Sequence, residues 1–244
     1  MASPKALIKD VAGRLGYEVV KRGTLADLTI AHHVAEVLKR ARINCVIDVG
    51  GNVGWYGDFL RAIGYDGRIV SFEPVSDSFA QLEERAAADP QWDAHRLAIG
   101  SGSGAVKVNV ANNRLFSSLR PPSSEGAALF PDEERIERQE EVELRRVDDV
   151  FAGCVAGIPD PRVHLKSHAQ GSDLDVIRGA GESLDRVHSL QLYVALQRIY
   201  DGMPTHRESF ELVEGLGFAV TGLFPVTRDE GFRVIEYDCI CVRR

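Results

Sequence analysis

The segment Cys45-Val46-Ile47-Asp48-Val49-Gly50-Gly51-Asn52-Val53-Gly54-Trp55 decides the fold. Its first five residues make a short apolar, largely β-branched run, as expected of a strand covered on both faces. Gly50 and Gly51 end the run, because glycine lets a backbone turn tightly, and helical spacing follows over residues 55–63. The reading is strand, glycine turn, helix. Residues 68–72 form a second short apolar strand, ended by Glu73-Pro74 because proline cannot continue a paired strand interior, and residues 77–88 have the spacing of a helix.

The same alternation extends outward. Strands are expected over residues 92–99, 105–111, 142–147, 162–166, 189–196, 218–224 and 237–242, with helices over 173–180 and 206–216. Strands alternating with helices predict an α/β fold: a mostly parallel sheet with helices on both faces, ending in an antiparallel pair. Ahead of it, residues 7–15 and 25–40 carry apolar side chains three and four apart, which predicts N-terminal helices covering the sheet within residues 1–43. Residues 117–141 turn to Pro, Ser, Gly and charge, including Pro121-Pro122-Ser123-Ser124 and Pro131-Asp132-Glu133-Glu134. That composition predicts a surface excursion, either a solvated loop or a lid over a substrate.

A chain of 244 residues can bury one sizeable core, so a single domain over 1–244 is expected. With 44% hydrophobic and 27% charged residues the composition is that of an ordinary globular protein. The net charge of −7, with no Lys/Arg block, argues against a nucleic-acid partner. No apolar run approaches the roughly 18 residues of a membrane span, and charges interrupt the N-terminus, so no membrane association and a cytoplasmic location are expected. Cys45, Cys154, Cys239 and Cys241 lack C-x-x-C spacing; the last two read as small buried side chains on one strand face. His32 and His33 point to different sides of a helix, which argues against a shared metal site, and no metal is expected.

In parallel sheets ligands bind at the carboxyl ends of the strands, where Asp48-x-Gly50-x-x-x-Gly54 falls. Asn52 and Val53 break the G-x-G-x-x-G pattern of a dinucleotide loop, and no Walker Lys and hydroxyl pair follows; a nicotinamide-dependent dehydrogenase is thereby disfavoured. An acid on the first strand, a looser glycine turn and Glu73 at the end of the second strand are instead the combination used to bind S-adenosylmethionine (SAM). In that reading Glu73 accepts from two ribose hydroxyls, and Asp48 supports the turn and faces the methionine ammonium directly or through water. Gly50, Asn52 and Gly54 complete the expected cofactor site.

The sequence also resembles the FkbM-type methyltransferases in VIDVGGNVGWYGDFL, IVSFEP, HRLAIGSGSGAVKVNV, LKSHAQGSDLDVIRGA, LQLYVALQRIYDG and the closing YDCICVRR, in that order and across most of the chain. The resemblance implies a Rossmann-like class I methyltransferase fold with a seven-stranded sheet and SAM as cofactor. It further implies O-methylation of a hydroxyl on a small natural product or sugar. Family members usually read Lys-Ile-Asp-x-Glu/Gln-Gly where this chain has Lys166-Ser167-His168-Ala169-Gln170-Gly171, and a Glu is usual at Tyr193. Lys166 and Gln170 are carried into the site by the match, as catalytic and substrate-binding candidates, and Ser117 and Ser118 resemble a family serine segment at the substrate mouth. An imidazole titrates near neutrality, so His168 is a candidate general base for the acceptor hydroxyl. Tyr193 is either a hydrogen-bond donor to substrate or a core aromatic. Loss of two family acids leaves a second possibility, a SAM-binding member that no longer transfers methyl groups. The expected partner is a small hydroxylated acceptor, and a homodimer is the default oligomer.

Overall fold

The structure is a computed structural model that describes residues 4–20 and 29–244. Strand β1 (Cys45–Val49) is buried at every residue. It pairs in parallel with β2 (Arg68–Phe72) on one side and, on the other, with β7 (Val163–Ser167). Outside β2 lies β3 (Trp92–His95), and outside β7 lies β8 (Val187–Ala195), both parallel to their neighbours. The sheet is completed by β10 (Val234–Arg243), antiparallel to β8, and by the edge strand β9 (Phe218–Arg228), antiparallel to β10. The order is β3-β2-β1-β7-β8-β10-β9, the expected mostly parallel seven-stranded sheet with its reversed final hairpin.

Alternation along β1 divides the core in two. Cys45, Ile47 and Val49 pack on one face with Val147, Leu174, Ile177 and Val213, from α6 (Val147–Cys154), α7 (Asp173–Arg178) and α8 (His206–Gly215). Val46 packs on the other with Val34, Leu60 and Leu82, from α2 (Ile30–Arg40), α3 (Trp55–Ala62) and α4 (Ser76–Ala87). Helix α2 starts after Thr29, whose hydroxyl accepts from the backbone N–H of His32, and it buries Val34, Val37 and Leu38. The part of the expected helix over residues 25–28 lies outside the described residues. Helix α1 (Pro4–Arg14) forms where expected but does not cover the sheet: Ile8 and Val11 are exposed, so its apolar spacing meets no partner among the described residues.

Two strand expectations are corrected. The run 92–99 divides at Arg96-Leu97: β3 closes the main sheet, whereas β4 (Ala98–Gly100) joins a small second sheet, β4-β6-β5. Its other members are β5 (Gly104–Ala111) and β6 (Ile136–Arg146). Strand β6 begins six residues before the expected 142, because its first half is charged and half-exposed and has no apolar run to reveal it. The 117–141 segment is also better anchored than its composition suggests. Pro122 bridges Tyr200, Ser123 caps α5 (Ser124–Leu129), and Ser118, Ser123 and Glu134 are buried.

Asp48 and Lys166 occupy paired register positions on β1 and β7 and are buried at 0% and 2% exposure. Lys166 Nζ lies 2.8 Å from Asp48 Oδ1 and donates to the carbonyls of Gly50 at 2.9 Å and Val49 at 3.3 Å. Ser71 Oγ on β2 donates to Asp48 Oδ2 at 2.8 Å and accepts from Trp92 Nε1 on β3 at 3.0 Å. One buried charge pair thus ties four adjacent strands. Removing one partner of such a pair strands the other, so Lys166→Met should lower unfolding free energy in urea titration by about 3–5 kcal/mol, and adding Asp48→Asn should restore part of it. A loss below about 1 kcal/mol, the range of an exposed pair, would refute this account of the sheet centre.

Candidate functional site

A cavity of about 290 Å³ opens at the carboxyl ends of β1, β2 and β7, where parallel sheets place their ligands. One wall is the turn after β1. Gly50 there has φ 71, and a Cβ at that position would stand 2.3 Å from the carbonyl oxygen of His168. Only glycine allows that approach, so the β1 turn and the segment after β7 close on each other directly.

The amides of this turn are all engaged. Gly50 and Gly51 donate to the carbonyl of Phe72, Asn52 to Glu73 Oε2 at 2.8 Å, Val53 to the side-chain oxygen of Asn52, and Gly54 to the carbonyl of Gly51.

Glu73 is the carboxylate of the cavity wall. Its Oε2 accepts from Asn52 and its Oε1 from the backbone of Val75 at 2.9 Å, which aims the group and leaves each oxygen further acceptor capacity. Burial pushes its pKa up to about 7 against the opposing pull of those two amides and of Lys166. Phe72, Leu97, Ile99 and Val108 provide an apolar surface beside it. A cationic sulfonium nucleoside fits this donor set. A carboxylate acceptor stands ready for ribose hydroxyls, apolar walls suit a base, and the one lysine is already neutralised by Asp48.

Two residues expected to hold the cofactor stand behind the cavity instead. Asp48 does not line it: its Oδ2 accepts from Ser71, and its Oδ1 lies 2.8 Å from the Lys166 ammonium without a hydrogen bond, so it braces the turn from within. Gly54, with φ 96, starts α3 and packs against Arg85 and Trp92. Lys166 lines the cavity; its ammonium donates to the carbonyls of Gly50 and Val49 and is paired in charge with Asp48 Oδ1 at 2.8 Å, which gives it a structural part at the sheet centre.

Gly50, Asn52, Glu73, His168, Gln170, Tyr193, Ser117 and Ser118 do meet around the cavity. The rings of His168 and Tyr193 are stacked at 3.6 Å between centroids. His168 Nε2 bonds Asp238 Oδ1 at 2.9 Å, and its Nδ1 has no hydrogen-bond partner among the described residues. Burial, reinforced by the Lys166 charge, holds the imidazole pKa below its ordinary value despite Asp238. Burial likewise raises the Tyr193 phenol, which remains protonated. At the mouth, Ser118 Oγ donates to the carbonyl of Gln170, whose side-chain oxygen accepts from Tyr200, while Ser117 Oγ accepts from Ala111 N–H.

Sequence reasoning missed Asp238, Gln191 and Tyr56. The signal for Asp238 was an acid inside the apolar strand run Tyr237-Asp238-Cys239-Ile240, a placement that needs buried partners. No group of three His, Cys, Asp or Glu side chains arranged to hold a metal occurs among the described residues. Nor is any helix among them long and apolar enough to cross a membrane.

Among solved structures, magnesium protoporphyrin IX methyltransferase from Synechocystis PCC 6803 is 12% identical, covering 100% of this chain and 99% of its own, with a TM-score of 0.44. Fibrillarin from Aeropyrum pernix is 11% identical over 86% of this chain and 74% of its own, with a TM-score of 0.45. An O-methyltransferase of neocarzinostatin biosynthesis is 12% identical over 88% and 55%, with a TM-score of 0.43. Similarities this weak say nothing about substrate. Curated protein sequences gave no significant match. The methyltransferase FkbM domain model matches residues 48–220, from the acid of β1 into β9, and so takes in every residue that lines the cavity, while Asp238 lies beyond it. The chain belongs to the FkbM methyltransferase family, and S-adenosylmethionine is its cofactor.

Proposed function

We propose that this methyltransferase acts on a hydroxyl oxygen of a small, uncharged natural product or sugar, with His168 as general base. The observation that carries the reading is His168 itself: it lines the cavity, its Nδ1 has no hydrogen-bond partner among the described residues, and burial lowers its pKa, so the ring is neutral near pH 7. An uncharged acceptor is favoured because the cations of the wall are already matched. Lys166 faces Asp48, and Arg114 is bonded to Asp77 and Glu137.

Bound SAM supplies a methyl group on a positively charged sulfur. The chain's own residues then have three tasks. Glu73 orients the nucleoside through its ribose hydroxyls. The cavity holds the acceptor oxygen in line with the methyl carbon, which is chiefly a positioning problem. His168 takes the hydroxyl proton on Nδ1 as the oxygen–carbon bond forms, and the electrons of the broken carbon–sulfur bond stay with sulfur.

Only ionised Glu73 can accept from both hydroxyls, and burial sets its ionisation near pH 7. Cofactor binding must therefore expel the proton that Glu73 carries at lower pH. The dissociation constant for SAM, followed by calorimetry, should rise up to about tenfold for each pH unit below 7 and level off above it. Glu73→Gln should bind more weakly with no such pH dependence. A flat profile in the unmodified protein removes Glu73 from the ribose site.

For catalysis, His168→Gln should lower kcat for methyl transfer by about 100-fold or more while leaving SAM affinity unchanged. The measurement is methyl transfer from isotopically labelled SAM across a panel of hydroxylated acceptors. Tight SAM binding with no transfer to any member, by protein that retains its fold, would favour the reading in which the cofactor is kept and the transfer lost.

A further inference from the structure

Beneath the cavity six polar side chains from four elements form one unbroken line. Ser189 Oγ lies 2.8 Å from His164 Nδ1, and His164 Nε2 lies 3.2 Å from the Tyr56 hydroxyl. Tyr56 donates to Gln191 Oε1 at 2.7 Å, Gln191 Nε2 donates to Asp238 Oδ1 at 2.9 Å, and His168 Nε2 meets that same oxygen at 2.9 Å. Ser189, His164, Gln191 and Asp238 are buried.

The direction of every bond follows from one end. A carboxylate can only accept, so both Gln191 Nε2 and His168 Nε2 must donate to Asp238. With its amide nitrogen committed there, Gln191 presents its oxygen to Tyr56, whose single proton must point that way. The Tyr56 oxygen then has only acceptor capacity left for His164, which must donate from Nε2. Burial pushes His164 down to about 4, so it is neutral at physiological pH and its Nδ1 accepts from the Ser189 hydroxyl. Reversing any link would set two donors or two acceptors face to face away from water, at about 1–3 kcal/mol for each unsatisfied group.

We propose that this line, acting through Asp238, locks His168 in the tautomer protonated at Nε2 and thereby makes Nδ1 the nitrogen that receives the acceptor proton. Asp238 is a positioning residue, and Gln191 and Tyr56 fix which of its oxygens faces the ring. The charged and titratable groups around the imidazole agree with the assignment. Burial and Lys166 on β7 disfavour a second proton on the ring and together outweigh the opposing charges of Asp238 on β10 and Asp48 on β1; Asp238 takes the hydrogen bond, and Tyr193 on β8 stacks on its face with no hydrogen bond of its own among the described residues. Asp238 remains the acceptor: burial raises it, but the His168 and Gln191 donors and the Lys166 charge more than offset this.

The inference rests on His168 as base, yet its first test needs no activity. In full-length protein labelled with ¹⁵N-histidine, with the His168 signals assigned by their loss in His168→Gln, Nε2 should appear protonated and Nδ1 unprotonated at neutral pH. Asp238→Asn should mix or invert the tautomers and move the His168 titration to lower pH. In methyl transfer, the acidic limb of the Asp238→Asn kcat profile should shift in the same direction, with kcat reduced roughly tenfold or more. Should Asp238→Asn fail to fold, Gln191→Met probes the same line by removing one donor from Asp238, and it too should perturb the His168 nitrogens. An Nδ1–H tautomer in the unmodified protein, or unchanged His168 signals in the variants, overturns the proposal. The expected tautomer together with full activity in His168→Gln would instead leave the lock standing and remove the base.

Discussion

The buried pairing of Asp48 with Lys166 is the constraint on which the rest depends. Two full charges at a sheet centre are tolerated only when each has partners on every side, and here the partners come from the strands and turn that must be aligned for a site to exist. Asp48 takes Ser71 from β2, and Lys166 takes the Val49 and Gly50 carbonyls at the end of β1. The bonds to those carbonyls hold the glycine turn against the segment after β7, where Gly50 meets the backbone of His168 with no room for a side chain. The charge pair therefore sets the distance between the cofactor side of the cavity and the side bearing the imidazole.

The two sides solve different electrostatic problems. On the β1–β2 side, Glu73 is buried against amides and apolar walls, so its charge is held in reserve and is favoured by a ligand that donates hydrogen bonds and carries positive charge. On the β7–β8–β10 side, the proposed base requires one nitrogen kept unprotonated in a buried setting. Burial and Lys166 keep the imidazole from charging early, while Asp238 provides the acceptor that stabilises it once a proton arrives. The network behind Asp238 is fully satisfied, the condition under which a buried polar cluster rigidifies a site instead of weakening it.

What was legible in the sequence follows from range. Local features were readable: the strand, turn and helix around Gly50 and the proline that ends β2. Glu73 could be placed because it sits at a strand end, a position with functional meaning in a parallel sheet. Asp48 was found but its pairing was not, since its partner Lys166 lies 118 positions away and only strand register brings the two together. The same blindness hid Asp238, which enters the cavity region only through antiparallel pairing with Tyr193. Strand β6 was truncated for a different reason: half its residues face solvent and are charged, so periodicity carries no signal there. Helix α1 shows the converse, an apolar spacing whose Ile8 and Val11 are buried against nothing among the described residues.

The departures from the usual family residues at His168 and Tyr193 belong together on physical grounds. This corner of the fold is crowded with carboxyl groups: Asp238 beneath the ring, Asp173 bonded to Ser167 and Ala169, and Glu236 bonded to Thr227. Burial already drives Asp173 up to about 6 and Glu236 to about 7. Acids at both 168 and 193 would add two more negative charges to the same pocket, where like charges a few ångströms apart resist joint ionisation. An imidazole and a phenol are both neutral near pH 7, stack face to face, and relieve that repulsion. They also convert Asp238 from one acid among several into the dedicated acceptor for a ring N–H. In this chain, then, the pair sets a stacked imidazole and phenol where two carboxylates would crowd, with a single carboxylate bonded to the ring.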